Sequence, residues 1–160
     1  MKIFTFAGWS NSGKTRVIAE LIKMLKARGN TVISVKKVPH AYHLQADTKD
    51  SSVFLNAGSD EVYLVADGEI INMRRVETPD TIFRLLENHP LKPDFVLMEG
   101  VYHDEVPLIE VWDANRQPET KFPLDKMAAI VSDHPVAGDV PRFSQDGVPA
   151  LVTFMEEYHG

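Results

Sequence analysis

Gly8-Trp9-Ser10-Asn11-Ser12-Gly13-Lys14-Thr15 matches the phosphate-binding loop pattern G-x-x-x-x-G-K-S/T at every fixed position. No other stretch constrains the fold as much, because this pattern works only between a strand and a helix. The flanks comply. Lys2 to Ala7 is rich in Phe and Ile and runs into Gly8, which reads as a buried strand entering a turn. From Lys14 to Arg28, the apolar residues Val17, Ile18, Leu21, Ile22 and Leu25 form one core-facing helical stripe, and Gly29-Asn30 ends it. Average residue usage gives a chance match of about 0.5% in a chain of this length, before the flanks are required.

The chemistry of the loop follows from its residue types. Gly8 and Gly13 allow backbone angles and close approach that a Cβ forbids. Ser10, Asn11 and Ser12 are small or turn-forming, so successive backbone N–H groups can wrap a phosphate at the positive end of the helix dipole, with Arg16 just beyond. Lys14 is expected to reach the β- and γ-phosphates, and Thr15 to offer its hydroxyl to Mg²⁺.

Such a site needs a carboxylate at the end of a neighbouring strand. Phe95 to Met98 is a continuous apolar run, as in a central strand covered on both faces, and Glu99 follows it at the carboxyl edge of the expected sheet. Glu99 is therefore the expected metal-side carboxylate and a catalytic candidate together with Lys14. Asp94, at the other end of that strand, is given no catalytic role.

The rest of the chain alternates strands and helices. Strands are expected at Thr31 to Val38, Glu61 to Ala66, Glu69 to Met73, Leu108 to Trp112 and Met127 to Val131, with a short one within Val140 to Ser144. Helices are expected at Lys49 to Ala57, Pro79 to Asn88 with Thr78 as N-cap, and Pro149 to Tyr158. The turn Asp67-Gly68 makes an antiparallel pair of the strands on either side, and its apolar residues Val62, Leu64, Ile70 and Met73 are read as core or as an interface. The fold class is α/β: a P-loop NTPase three-layer sandwich with a mostly parallel sheet and some antiparallel strands, built as one domain from 160 residues.

Composition narrows the partners. Seventeen Lys and Arg against twenty-three Asp and Glu leave a net charge of −6, which argues against a general nucleic-acid surface. There is no Cys, so disulfides and thiolate zinc sites are excluded. No segment reaches the roughly 18 consecutive apolar residues of a membrane span, and the N-terminus lacks a signal-peptide pattern, so the expected compartment is the cytoplasm. Against this acidic background, the loop from Pro39 to Thr48 and its borders hold Lys36, Lys37, His40, His43, Asp47, Lys49 and Asp50. That cluster suggests a second anionic ligand near Lys36, His40 and His43, with Asp50 a further candidate metal ligand.

Several segments together resemble the molybdopterin-guanine dinucleotide biosynthesis protein B (MobB) family. They are GWSNSGKT at Gly8 to Thr15, VKKVPHAYH at Val35 to His43, KDSSVFLNAGSDEVYLV at Lys49 to Val65 and DFVLMEG at Asp94 to Gly100, with weaker echoes in LIEVW at Leu108 to Trp112 and AIVSD at Ala129 to Asp133. The resemblance implies a GTP-binding, Mg²⁺-dependent protein with weak GTPase activity, usually dimeric. It would assist a MobA-type molybdopterin guanylyltransferase, and molybdopterin is one candidate for the second anionic ligand. The resemblance also places Asp133 where a carboxylate would read guanine, although no N-K-x-D motif is present. No residue stands out in the sequence as an arginine finger, so hydrolysis is expected to be slow, on the order of 10⁻³ to 10⁻⁴ per second. Two other readings fit a phosphate loop: an ATP-dependent small-molecule kinase or ligase, and a nucleotide-sensing adaptor.

Overall fold

The computed structural model describes residues 1–38, 48–78 and 81–159, the side chains of 48–50 excepted. The strands are β1 (Lys2–Ala7), β2 (Val32–Lys36), β3 (Glu61–Ala66), β4 (Glu69–Arg74), β5 (Phe95–Glu99), β6 (Leu108–Val111), β7 (Ala129–Val131) and β8 (Arg142–Phe143). The helices are α1 (Lys14–Ala27), α2 (Thr48–Asn56), α3 (Thr81–Glu87) and α4 (Val148–Glu157), with a 3₁₀ turn at Leu124–Lys126. Among the described residues, no helix is long and apolar enough to cross a membrane. The chain divides into two compact units, Met1–Lys37 with Pro90–Gly160, and Val38–His89.

The larger unit is built on a six-stranded sheet of order β2-β5-β1-β6-β7-β8, parallel throughout. One face of the sheet presents Phe4, Phe6, Phe95, Leu97, Ile109, Val111, Ala129 and Val131 to the stripe Val17, Ile18, Leu21 and Leu25 of α1 and to Val148, Leu151, Val152 and Met155 of α4. These residues are those whose period matches their element, every second residue in a strand and every third or fourth in a helix. The opposite face packs Ala7, Leu108, Met127 and Ile130 against Trp112, Phe122, Leu124, Val136 and Val140. The fold is therefore the expected mostly parallel α/β sheet of P-loop type. The antiparallel pair, however, is a separate two-stranded sheet.

Polar contacts close the ends of these elements. The Lys2 ammonium donates to the carbonyls of Met155 (3.4 Å), Tyr158 (3.1 Å) and Glu156, placing a cation at the negative end of α4. Asp94 Oδ2 accepts from the Thr31 N–H at 2.7 Å and so fastens the entry to β5, the structural role that its distance from the carboxyl edge suggests. An ion pair of 2.5 Å between Arg28 and Glu156 links α1 to α4, but both side chains are more than a third exposed, and such pairs contribute less than about 1 kcal/mol.

In the smaller unit the turn at Asp67-Gly68 sets the register Ala66↔Glu69, Val65↔Ile70, Leu64↔Ile71 and Val62↔Met73. That register corrects one expectation. Val62 is buried and Leu64 and Met73 are half-buried, but Ile70 belongs to the other face with Val65 and is 70% exposed. Side chains alternate along a strand, so Ile71, not Ile70, shares the face of Met73. The N-cap expected of Thr78 involves Pro79, and that helix start lies outside the described residues.

Candidate phosphate site

β1 stops at Ala7 because Gly8 turns the chain with φ +136°. A Cβ on Gly8 would lie 2.3 Å from the Val111 carbonyl oxygen of β6 and 2.8 Å from Ser12 Oγ, so the loop approaches the sheet edge as closely as only glycine permits. Asn11 (φ 62°) and Gly13 (φ 96°) bend the loop into α1, whose first turn carries no acidic side chain. The positive end of the helix is thus left facing the loop without a negative group of its own first turn. Trp9 anchors the outer side, its indole Nε1 donating to the Glu119 carbonyl at 3.1 Å, and the Lys121 ammonium lies 6.0 Å from the Trp9 ring centre.

Lys14 folds over the loop. Its Nζ donates to the carbonyls of Gly8 at 3.0 Å and Trp9 at 2.5 Å, and to Ser12 Oγ at 3.5 Å. Burial holds its pKa below the ordinary lysine value; Glu99 opposes that shift, and the cations of Lys121 and Lys36 add to it. Parallel pairing sets Glu99 of β5 beside Phe6 of β1, so the carboxylate emerges next to the loop. There Thr15 Oγ1 donates to Glu99 Oε2 at 3.2 Å, and Lys36 Nζ lies 3.4 Å from Oε1.

A cleft of about 560 Å³ lies over these groups, lined by Ser10, Asn11, Gly13, Lys14, Thr15, Arg16, Lys36, Glu99 and Arg116. Four cationic side chains meet one carboxylate there, an excess of positive charge in a chain of net charge −6. The site can therefore draw in an anion by its local field. A hydroxyl and a carboxylate oxygen at 3.2 Å form the hard-oxygen set that Mg²⁺ uses when phosphate and water supply its other ligands. Among the described residues no cluster of three His, Asp or Glu could hold a metal by itself. The residues present thus fit a cation shared with a phosphate.

Residues 3–133 match the family described as Molybdopterin guanine dinucleotide synthesis protein B. The chain belongs to the MobB family. It is 29% identical to the molybdopterin-guanine dinucleotide biosynthesis adapter protein of Escherichia coli (strain K12), over 98% of this chain and 92% of that protein. It is likewise 29% identical to the adapter protein of the same name from Haemophilus influenzae, over 94% of this chain and 85% of that one. The crystal structure of Bacillus subtilis MobB has the same fold, with a TM-score of 0.72 at 20% identity, covering 99% of this chain and 100% of that chain.

In this MobB chain the structure gathers all the loop candidates except the buried Ser12 and Gly8 into the cleft lining, together with Arg16, Lys36 and Glu99. Asp133 is not among the lining residues: it lies just beyond β7, where its Oδ1 accepts from the Gln145 N–H at 2.9 Å. Arg16 is drawn to Asp146, with Nη2 to Oδ1 at 2.8 Å. His40, His43 and the side chain of Asp50 lie outside the described residues.

Two residues of the site region escaped sequence reasoning. Arg116 lines the cleft from the segment after β6. Glu110 is a fully buried residue within β6, where Oε1 accepts from the Lys121 N–H at 2.5 Å and Oε2 from the Phe122 N–H at 3.0 Å. It fastens the segment that also holds Trp9. Burial raises the pKa of Glu110, and the two backbone N–H groups oppose the rise. A raised folded-state pKa means that the folded protein binds the proton more tightly than the unfolded chain does. The contribution of Glu110 to stability is therefore full below the ordinary glutamate range and is lost as pH rises through the folded value. Glu110→Gln is expected to cost about 1–2 kcal/mol at neutral pH, because an amide offers one acceptor to two N–H groups. It is also expected to flatten the fall in stability as pH rises above the ordinary glutamate range, as measured by urea unfolding.

Proposed function

We propose that this chain is a GTP-binding adapter in the synthesis of molybdopterin guanine dinucleotide, acting as a homodimer in the cytoplasm beside a MobA-type molybdopterin guanylyltransferase. The observation that carries the reading is the meeting of Lys14, Thr15 and Glu99 at one sheet edge, under a glycine-constrained loop, in a chain of this family. The names of its curated relatives support the pathway.

In this reading the backbone of residues 8–13 cradles the phosphates and Lys14 neutralises the β- and γ-phosphate oxygens. Thr15 and Glu99 hold Mg²⁺, which when bound supplies charge neutralisation to the phosphate oxygens. Asp133 is assigned the guanine edge, since a carboxylate can accept from both N1–H and the 2-amino group; its oxygens retain lone pairs beside the bond from Gln145. Lys36 also lines the cleft, and molybdopterin or another anionic ligand is assigned to it together with His40 and His43. With little but electrostatics arranged around the γ-phosphate, turnover is slow, as suits an adapter.

Calorimetric titration of the purified protein with GTP, GDP and ATP tests the reading, in Mg²⁺ and again in EDTA. The expected result is saturable binding with GTP preferred over ATP, weakened when the metal is removed. A preference for ATP would turn the assignment to a kinase or ligase, and absence of binding to any of the three would remove the nucleotide site altogether.

A further inference from the structure

We propose that Arg116 is a cis-acting arginine of this site, presenting its guanidinium to the terminal phosphate of the bound triphosphate and stabilising the transition-state charge of hydrolysis. The inference rests on the nucleotide reading above and names a residue which that reading lacks.

The segment after β6 is folded tightly enough to hold a side chain in place. Arg116 N–H and Gln117 N–H both donate to the Asp113 carbonyl at 3.0 Å, and Asn115 N–H donates to Asp113 Oδ1 at 3.0 Å. The Trp112 indole closes the same turn by donating to the Gln117 carbonyl at 3.2 Å. A carboxylate that bonds the backbone two residues on is a self-sufficient turn, and the turn aims Arg116 along the cleft. Asp113 is also braced from β7's side, its Oδ1 lying 3.3 Å from His134 Nε2.

The way the guanidinium is held decides what it can do. Of the cleft's two arginines, Arg16 gives a terminal nitrogen, Nη2, to Asp146. Arg116 is held instead by Nε, 3.1 Å from Asp113 Oδ2. A tether through Nε fixes the plane of the group while leaving the two terminal nitrogens, with four N–H bonds, as a fork suited to phosphate oxygens. Its side chain is 59% exposed and lines the same cleft as Lys14 and Thr15. Lys14 serves the phosphates from the loop, and Arg116 adds a second cation from the β6 side of the site.

In the hydrolysis, the water oxygen bonds to the γ-phosphorus as the bond from that phosphorus to the bridging β–γ oxygen breaks. The electron pair stays with the bridging oxygen on GDP, and the proton lost by water ends on the released inorganic phosphate. Arg116 stays protonated throughout and only donates hydrogen bonds, to the equatorial non-bridging oxygens over which the charge of the transferring group is spread and to the bridging oxygen on which the leaving-group charge builds.

Single-turnover GTP hydrolysis by Arg116→Ala and Arg116→Lys, with GTP and GDP affinities measured alongside, tests the proposal. Arginines in this role are worth roughly 10³ to 10⁵ in rate elsewhere, so a fall of at least about a hundredfold is expected for the alanine variant. Affinity for GDP should change less than about threefold, and lysine should not restore the rate, because it lacks the fork. Retention of GDP with aluminium fluoride, which imitates the transferring phosphoryl group, should be lost with Arg116. A wild-type chain that binds no nucleotide would overturn both this proposal and the nucleotide reading. A wild-type chain that binds GTP without hydrolysing it, equal rates with and without Arg116, full rescue by lysine, or equal losses of GTP and GDP affinity would overturn this proposal alone.

Discussion

Gly8→Ala is expected to cost the fold about 2–6 kcal/mol and to leave no competent phosphate loop. Two costs add at this position. The backbone sits at φ +136°, a region that residues with a Cβ adopt at a cost of about 1–3 kcal/mol. The new methyl would also stand 2.3 Å from the Val111 carbonyl oxygen, and overpacking of this kind costs about another 1–3 kcal/mol. Neither neighbour can yield cheaply. Val111 is fully buried and paired to Val131 of β7, and Ser12 Oγ, 2.8 Å from the same methyl, is itself inside the loop. The comparison that isolates the packing cost is Gly58→Ala, where φ is +107° but nothing lies within 4 Å, so only the backbone strain is expected. Urea unfolding of the two variants beside the wild type checks the difference. A Gly8→Ala protein as stable as Gly58→Ala would show that the loop can shift away from β6.

The same close approach explains why this part of the fold was legible in the sequence. The positions of β1, the loop and α1 follow from residues that no other local structure accepts: glycines with positive φ, and an apolar stripe of helical period. Glu99 was legible for a related reason, since a run as apolar as Phe95 to Met98 has to lie inside a sheet and its first polar residue has to emerge at the edge. Boundaries were less so. The expected strand from Met127 begins only at Ala129, because Met127 N–H donates to the Leu124 carbonyl and closes the 3₁₀ turn. Ile70 falls on the exposed face because the hairpin's register is set by its turn, and composition alone does not distinguish Ile70 from Ile71.

Glu110 and Arg116 were illegible for a different reason. A glutamate between Ile109 and Val111 reads as the solvent side of an alternating strand. What makes it tolerable in the interior is a pair of N–H groups eleven and twelve residues later in the chain, a tertiary arrangement with no local signature. Arg116 likewise looks like an ordinary loop cation until the parallel pairing of β1 with β6 brings its turn beside the phosphate loop. A charged residue that stands in no motif and ends no apolar run is thus one the fold has to reveal.

Lys14→Ala is expected to weaken GTP binding at least about a hundredfold, roughly 2.7 kcal/mol, while leaving stability nearly unchanged. The magnitude follows from a unit charge near a phosphate at the protein surface: about 4 kcal/mol at 4 Å and an effective dielectric of 20, less the cost of dehydrating the ammonium. The stability effect is small because the side chain is only partly buried and water can replace it at the carbonyls of Gly8 and Trp9. The pH dependence separates charge from shape. Burial has already lowered the pKa of Lys14, so it loses its proton at a lower pH than an ordinary lysine does. Affinity for GTP should therefore decline as pH rises through that lowered value in the wild type, and Lys14→Ala should show no such decline. A decline of equal size in both proteins would assign the charge that matters to another cation of the cleft, Lys36 first, since it lies 3.4 Å from Glu99 and is the other lysine of the lining.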